Sequence, residues 1–457
     1  MAQNFRDDGA ADIDTRSPTI TRLSQRLAVA SAAMMPHHTA YIRDISQAYL
    51  QSTSNLSRPV FLEAPPEMHL GADELLLARK PLYGVPESGF HWFLTYQSHH
   101  TDTLGMKVSK ADSCFLYHRV RDAHGAEITD GVTILQVDDS FGHGSRKFLE
   151  EEELASSRFD CKPRIVFEQE TSARFNGTNV QRTVHGYCIH QRDKLERIRR
   201  PSTDTELVSA RAALQYIAGC TRPDISSCVQ LLSSQMAAPT RATYMELSRI
   251  LDWTAHTNKL VLKFVPLDVS TLRMVVFTDA SFANASGLAS QLGFVVCLVD
   301  AGSNANIVHY GSQRCKRVTR SVMAAELHAL SYGYDQAFVA RHLAEEIFAT
   351  KIPLDGYVDS RTIFNTVTTG TGTLEKRLQI DAFALREAHS RGELRNLAWI
   401  PSGENIADAL TKGIPSESHA LIELMRSNRL TVQPHGWVSM NNLNIEKPVS
   451  VDQSSEG

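Results

Sequence analysis

Hydrophobic and polar positions change period repeatedly along the chain, and each change marks an element. An apolar run over 27–35, ending just before Pro36, predicts a helix capped by Ser17 with Pro18 in its first turn. A short β-prone run then leads to Asp44. Pro65, Pro66 and Gly71 mark a loop, and 75–78 should return as a strand. Beyond Pro86, residues Phe90, Phe93, Leu94 and Gln97 fall on one helical face, with Gly105 past the end. Strands are expected at 115–120 and 132–137, and a helix at 150–157. Across 134–144, Ile134-Leu135-Gln136-Val137 runs into Asp138-Asp139 and then a glycine-punctuated turn. This predicts a strand, a tight hairpin with both acids at its tip, and a second strand. The run Phe175-Asn176-Gly177-Thr178 looks like a further hairpin.

From 201 to 259 the period is helical. Segments 207–217 and 243–257 flank one that starts at Thr221-Arg222-Pro223-Asp224 and repeats Ile225, Val229, Leu232 and Met236 at helical spacing. A second αβ unit begins near Ser270. Strands are expected at 274–277, 293–299 and 307–310, with a turn over 300–304. Ser321 should cap a long helix that carries Glu326 early and Leu327, Leu330 and Tyr334 on its apolar face. Strands 354–358 and 397–400 follow, then a short helix bearing Asp408 and closed by Gly413.

A chain of 457 residues predicts two or three domains, and 42% hydrophobic with 21% charged residues is ordinary for globular protein. The 7 cysteines form no C-x-x-C pair, which favours reduced thiols in the cytosol or nucleus and offers no zinc site. The polar, acidic start lacks the regions of a signal peptide, and 27–35 is too short to span a bilayer. Neither secretion nor a membrane is indicated. A net charge of -4 leaves phosphate contacts to local clusters, namely Arg192, Lys194, Arg197, Arg199 and Arg200, and again Arg314, Lys316, Arg317 and Arg320.

Adjacent carboxylates at a hairpin tip suit a hard divalent cation, with another acid from elsewhere completing the ligand set. The hairpin resembles the active-site turn of reverse transcriptases, usually Tyr-x-Asp-Asp, with Gln136 in the tyrosine position. Arg43-Asp44-Ile45-Ser46-Gln47-Ala48-Tyr49-Leu50-Gln51 is similar to the segment carrying the first catalytic aspartate of that family. Leu82-Tyr83-Gly84-Val85-Pro86-Glu87-Ser88-Gly89-Phe90-His91-Trp92 and Thr221-Arg222-Pro223-Asp224-Ile225 resemble blocks of Ty1/copia-type retrotransposon polymerases. The resemblance implies that Asp44 and Asp138 hold the ions, with Asp139 in support. It implies a nucleotide site at Tyr49, Tyr83, Gly84 and Gln136, with Tyr49 crowding the sugar 2′ position. It also implies a late start, with part of the fingers missing.

A second set of acids follows: Thr278-Asp279-Ala280-Ser281, Ala325-Glu326-Leu327, Val358-Asp359-Ser360 and Ala407-Asp408-Ala409-Leu410-Thr411-Lys412. Their order on strand, helix, strand end and last helix is similar to ribonuclease H. Four such carboxylates repel, so the fold should require a bound cation or shifted pKa values there. The resemblance implies Asp279, Glu326, Asp359 and Asp408 as catalytic metal ligands, with two ions roughly 3.5 to 4 Å apart. Arg314, Lys316, Arg317 and Arg320 would contact the hybrid's phosphates.

The expected architecture is therefore a multidomain α+β and α/β chain. Residues 1–195 are a reverse-transcriptase palm with truncated fingers, 196–265 a helical thumb or connection, 266–415 a ribonuclease H-like mixed-sheet domain, and 416–457 a polar, flexible tail. The expected function is RNA-directed DNA polymerase with hybrid ribonuclease, using Mg²⁺ or Mn²⁺. Its partners would be an RNA template, a DNA primer, RNA–DNA hybrid, deoxynucleoside triphosphates and other retroelement proteins, in cytoplasmic particles and the nucleus. The alternative is a nucleic-acid-binding remnant with an inactive polymerase half. A cellular ribonuclease H is disfavoured by the 82–92 and Asp138 blocks.

Overall fold

A computed structural model describes residues 14–71, 74–285, 287–369, 376–413, 415–417 and 419–432, with the backbone of 435–439. Residues 1–5 and much of the expected tail lie outside the described residues. Helix α1 (Arg22–Met34) starts later than its pattern suggested. Thr21, not Ser17, is the cap, because its side chain accepts from the Ser24 N–H and Pro18 is left outside. Side chains from Leu23 to Met34 are buried all round, the mark of a helix inside the molecule rather than on its surface.

The chain continues through β1 (Thr39–Asp44), the ribbon β2 (Val60–Glu63) and β3 (Leu75–Ala78), α2 (Ser88–Ser98), β4 (Lys107–Val108), β5 (Phe115–Arg121), β6 (Glu127–Gln136), β7 (Asp139–Gly144), α3 (Arg146–Ser156) and β8 (Ile165–Val166). Apart from the ribbon, these strands form one sheet in the order β4-β5-β6-β7-β1-β8. Strands β1 and β7 run antiparallel with Asp44 opposite Asp139, so carboxylates distant in sequence become neighbours. Two expectations need correction. Gly142 and Gly144 lie inside β7, paired with β1 and β6, not in a turn, and they are glycine because a Cβ would run into the Tyr41 and Phe148 rings. Helix α2 turns Trp92, Thr95 and Tyr96 inward and leaves Leu94 exposed. The stacked Trp92 and Tyr96 rings, 5.1 Å apart and both edge-on to Phe159, fill that inward face in place of the expected stripe.

Next come β9 (Ser172–Phe175), β10 (Thr178–Thr183), β11 (Gly186–His190), α4 (Arg192–Leu195), α5 (Asp204–Cys220), α6 (Ser226–Ser233), α7 (Arg241–His256) and β12 (Leu262–Phe264). The strands form a sheet ordered β12-β11-β10-β9, so the largely helical stretch ends by returning to it. Helices α5 to α7 pack around Leu207, Leu214, Val229, Leu232 and Leu247.

The last unit holds β13 (Arg273–Ala285), β14 (Ala289–Val299), β15 (Ala305–Arg314), α8 (Val322–Phe348), β16 (Leu354–Val358), α9 (Arg361–Thr369), α10 (Lys376–Ser390), β17 (Asn396–Trp399), α11 (His419–Ser427) and β18 (His435–Ser439). The sheet order is β15-β14-β13-β16-β17-β18. Strands β13, β14 and β15 form an antiparallel meander, and β16 and β17 join parallel to β13. Helix α8 makes the crossover, capped by Ser321 as its pattern predicted. This mixed topology is that expected of a ribonuclease H-like fold. The expected flexible tail is corrected at α11, which buries Leu421, Ile422, Leu424 and Met425. Their helical spacing was masked by a polar, serine-rich context. No helix of the described residues is long and apolar enough to cross a membrane.

Candidate functional site

Asp279 lies in β13, and Asp359 sits one residue beyond the parallel strand β16, whose Val358 pairs with Thr278. Parallel pairing thus delivers both acids to one sheet end. Asp408 arrives on a 3-10 turn (Ile406–Leu410), shorter than a regular helix. Asn405 anchors that turn, donating from Nδ2 to the Thr278 carbonyl at 3.0 Å and accepting from the Ala407 N–H at 3.1 Å. Oxygens of Asp279, Asp359 and Asp408 all lie within 4.8 Å of one another. Glu326, in the early turns of α8, stands outside that close group. Its carboxyl nevertheless meets the charges of Asp279, Asp359 and Asp408.

Burial pushes Asp279 up to about 7, and the neighbouring Asp359 and Asp408 add to it. Burial likewise pushes Glu326 up to about 9, reinforced by Asp279 and Asp359. Asp408 is also raised by burial, against the pull of Lys412. Two residues absent from the sequence-derived site soften the repulsion: Thr411 donates its hydroxyl to Asp279, and Lys412 pairs with Asp408. Their signal was available in the spacing, since Lys412 lies one helical turn beyond Asp408. Carboxylates that retain protons this strongly form a donor set of hard oxygens with too little cationic charge around it. Such a set fits a divalent ion.

The second acid group lies on the first sheet. Between β6 and β7 the turn is Val137-Asp138, and Val137 has φ 55, an unfavourable conformation for a β-branched residue. Trp92 Nε1 donates to the Val137 carbonyl at 2.6 Å, and the Ile45 N–H donates to the Asp138 carbonyl at 3.0 Å. Those bonds hold the turn against β1. Asp139 rises to about 6 through burial and then the charges of Asp138 and Asp44. Asp44 is ion-paired to Lys162 at 2.6 Å. Asp44, Gln136, Asp138, Asp139, Lys162, Arg174, Asn176 and Gly177 share a cavity of about 640 Å³. Tyr49 and Tyr83 stack with ring centres 4.4 Å apart, both feeling the Asp138 charge, and Gly84 turns the chain with φ 95.

Sequence reasoning also missed the buried support of β1. Arg43 holds Glu152 through two bonds of 2.8 and 2.7 Å, and both side chains are 1% exposed. Arg314, Lys316, Arg317 and Arg320 lie exposed between the end of β15 and α8. Of these, Arg317 is engaged by Asp381 at 3.0 Å, which also receives His328 at 3.1 Å.

These features define a chain with two separate carboxylate centres, one at a hairpin of an antiparallel sheet and one at the end of a mixed sheet. It is a relative of retrotransposon polyproteins of the Ty1 type. It is 22% identical over 420 residues to the Ty1-ER2 Gag-Pol polyprotein of Saccharomyces cerevisiae, and 22% identical over 421 residues to the Ty1-BR polyprotein of the same yeast. Each match covers 83% of this chain, and the chain spans 23% of the length of those relatives. No family model matches the chain. Among solved structures, ribonuclease H1 of Halobacterium salinarum aligns with 22% identity and TM-score 0.24, covering 33% of this chain and 98% of that one. The prototype foamy virus protease-reverse transcriptase aligns with 11% identity and TM-score 0.23, covering 84% of this chain and 46% of that one.

Proposed function

We infer that this chain is the reverse transcriptase and ribonuclease H portion of a retroelement polyprotein. Its hybrid-cleaving site would be Asp279, Glu326, Asp359 and Asp408. One observation carries the reading: the oxygens of Asp279, Asp359 and Asp408 lie within 4.8 Å of one another, with Glu326 buried near enough to feel their charges. Those four side chains would hold Mg²⁺, or Mn²⁺, which when bound supplies activation of water and neutralises the leaving 3′-oxygen of the RNA strand. The protein's own part is positional. Asn405 ties the Asp408 turn to β13, Thr411 orients the Asp279 carboxyl, and Lys412 holds Asp408. Selectivity for a hybrid would come from 2′-OH contacts and duplex shape.

At the first centre, Asp44 and Asp138 would hold the ions for primer extension, with Asp139 in support. Tyr83 and Gly84 would meet the nucleotide, Tyr49 braced on Tyr83 would crowd its sugar, and Gln136 would line the pocket. The partners are then an RNA template, a DNA primer and deoxynucleoside triphosphates, within retroelement particles. A second reading, a nucleic-acid-binding polymerase half that no longer turns over, is favoured by Asp44 being engaged by Lys162 at 2.6 Å. Primer extension on an RNA template separates the two. The ribonuclease reading is tested by Mg²⁺-dependent cleavage of a labelled hybrid, which Asp279→Asn should abolish.

A further inference from the structure

The three close carboxylates of the second centre are not braced alike. Asp279 receives the Thr411 hydroxyl and Asp408 pairs with Lys412, but among the described residues the Asp359 carboxylate has no hydrogen-bond or ion-pair partner. Its direction is therefore set by its own main chain. Asp359 lies between the end of β16 and the start of α9, just where the sheet ladder gives out: the β16–β17 register ends with Val358 opposite Trp399, and the Ile400 N–H donates to the Val358 carbonyl at 2.9 Å. The Trp399 side chain takes over at the next residue. Its Nε1 donates to the Asp359 carbonyl at 2.9 Å, which extends the ladder by one bond. On the helical side, the Phe364 N–H donates to the Ser360 carbonyl at 3.0 Å.

An indole N–H has a single hydrogen to give, so a half-buried indole takes one fixed partner. Trp399 is half-buried at the end of β17, and the Arg361 guanidinium carbon lies 5.9 Å from its ring centre. The ring is thus held between β17 and the chain that leaves Asp359. Losing the bond frees the peptide after Asp359 to rotate, and a carboxylate whose backbone turns no longer meets the oxygens of Asp279 and Asp408. Groups that orient a ligand from behind in this way are worth about 10- to 100-fold in metal affinity. In the sequence Trp399 is an ordinary strand aromatic, and only the parallel pairing of β16 with β17 brings its N–H to the acid.

We infer that Trp399 is a positioning residue of the second centre: its indole N–H fixes the Asp359 carbonyl, and through it the direction of the one close carboxylate that no other side chain braces. This rests on the ribonuclease reading above and adds the residue that sets how tightly that centre holds its ion.

The test counts bound Mn²⁺ by electron paramagnetic resonance on the full chain carrying Asp138→Asn, which removes a ligand of the first centre. Adding Trp399→Phe keeps a ring and deletes the N–H, and should weaken Mn²⁺ binding by about 10- to 100-fold. The Mg²⁺ concentration for half-maximal hybrid cleavage should rise by a like factor while the KM for hybrid at saturating Mg²⁺ holds steady, a split that loss of folded protein does not give. Trp253→Phe is the matched control. Its Nε1 donates to Asp224 at 2.8 Å in the helical region, so the change should lower the melting temperature and leave Mn²⁺ binding unaltered. If Trp399→Phe folds poorly, the unsubstituted chain still decides, because an ion that depends on the bond must also strengthen it. Mg²⁺ should slow solvent exchange of the Trp399 indole N–H in ¹⁵N-labelled protein and leave that of Trp253 alone. Mn²⁺ binding within about twofold of the background in folded Trp399→Phe, equal weakening in Trp253→Phe, or a Trp399 exchange rate that Mg²⁺ does not touch overturns the inference. A background chain that binds Mn²⁺ and cleaves hybrid confines such a failure to Trp399, whereas one that does neither refutes the ribonuclease reading as well.

Discussion

Removing the Glu326 charge should stabilise the metal-free protein while removing its function, and the effect can be sized from the structure. Glu326 is buried against Asp279 and Asp359, which lifts its carboxyl from an ordinary 4.5 to about 9. A pKa raised by folding means stability that is complete below about 4.5 and is lost as pH climbs through about 9. At pH 7 the folded chain must hold a proton that the unfolded chain has released, which costs on the order of 3 kcal/mol. Gln has nothing to titrate, so Glu326→Gln should recover most of that. Thermal melts in chelator at pH 5, 7 and 8.5 make the comparison. The variant and wild type should differ little at pH 5, and the variant should melt several degrees higher at pH 8.5. Titrating Mg²⁺ should then raise the wild-type melt and narrow the gap, since an ion bound only by the folded state stabilises it. Equal melts in chelator at pH 8.5, or a gap that Mg²⁺ leaves untouched, would refute the reasoning.

Asp279→Asn should lower hybrid cleavage roughly 100- to 1000-fold in a Mg²⁺ gel assay while the chain stays folded, a loss in the range expected for a group acting on transition-state charge (roughly 3–4 kcal/mol). Unchanged cleavage in both this variant and Glu326→Gln would sink the assignment. Asp138→Asn should end primer extension yet leave hybrid cleavage intact, and loss of both together would argue against two independent centres. Glu152→Gln should cost about 3 kcal/mol by urea unfolding, because it breaks a buried pair and leaves the Arg43 guanidinium only the half-exposed Glu153 at 2.8 Å. Burial alone would raise Glu152, but Arg43 holds it below its ordinary 4.5. The wild type should therefore shed this stabilisation as pH falls below about 4.5, and the variant should show no corresponding acid transition.

What was legible in the sequence had its cause in local order. The strands around Asp44, Asp138 and Asp279 alternate or run apolar into an acid, and the Ser321 cap precedes a helical period, so these elements could be placed before folding was considered. What escaped depends on partners distant in the chain. Gly142 and Gly144 read as turn residues until the Tyr41 and Phe148 rings come to lie on them. The inward face of α2 is chosen by Phe159, which lies well downstream. The acids were found by their order, but their counter-charges were not. Lys162 meets Asp44 because the chain after α3 crosses the end of β1, and no spacing rule connects those positions.

The spacing of the two centres is set by packing rather than by a linker. Helix α1 lies in one continuous core with strands of the first and last sheets. Its Arg26, 1% exposed, stacks 4.2 Å over Tyr310 of β15 and donates to the Cys220 carbonyl at 3.0 Å. Tyr310 in turn donates to the Ala218 carbonyl at 2.8 Å, so three stretches of chain meet at one buried cation. At the other contact, the far end of α8 docks on the first sheet: Glu346 accepts from Ser109 at 2.5 Å, and the Ile347 carbonyl accepts from Thr129. Glu326 and Glu346 lie on this same helix, about 30 Å apart at the usual rise. One end of a single rigid element therefore carries a carboxylate of the second centre while the other end rests on the sheet that carries the first. A hybrid spanning both would meet them at a separation fixed by helix length, because any change in that separation must break the buried Arg26 and Thr129 contacts.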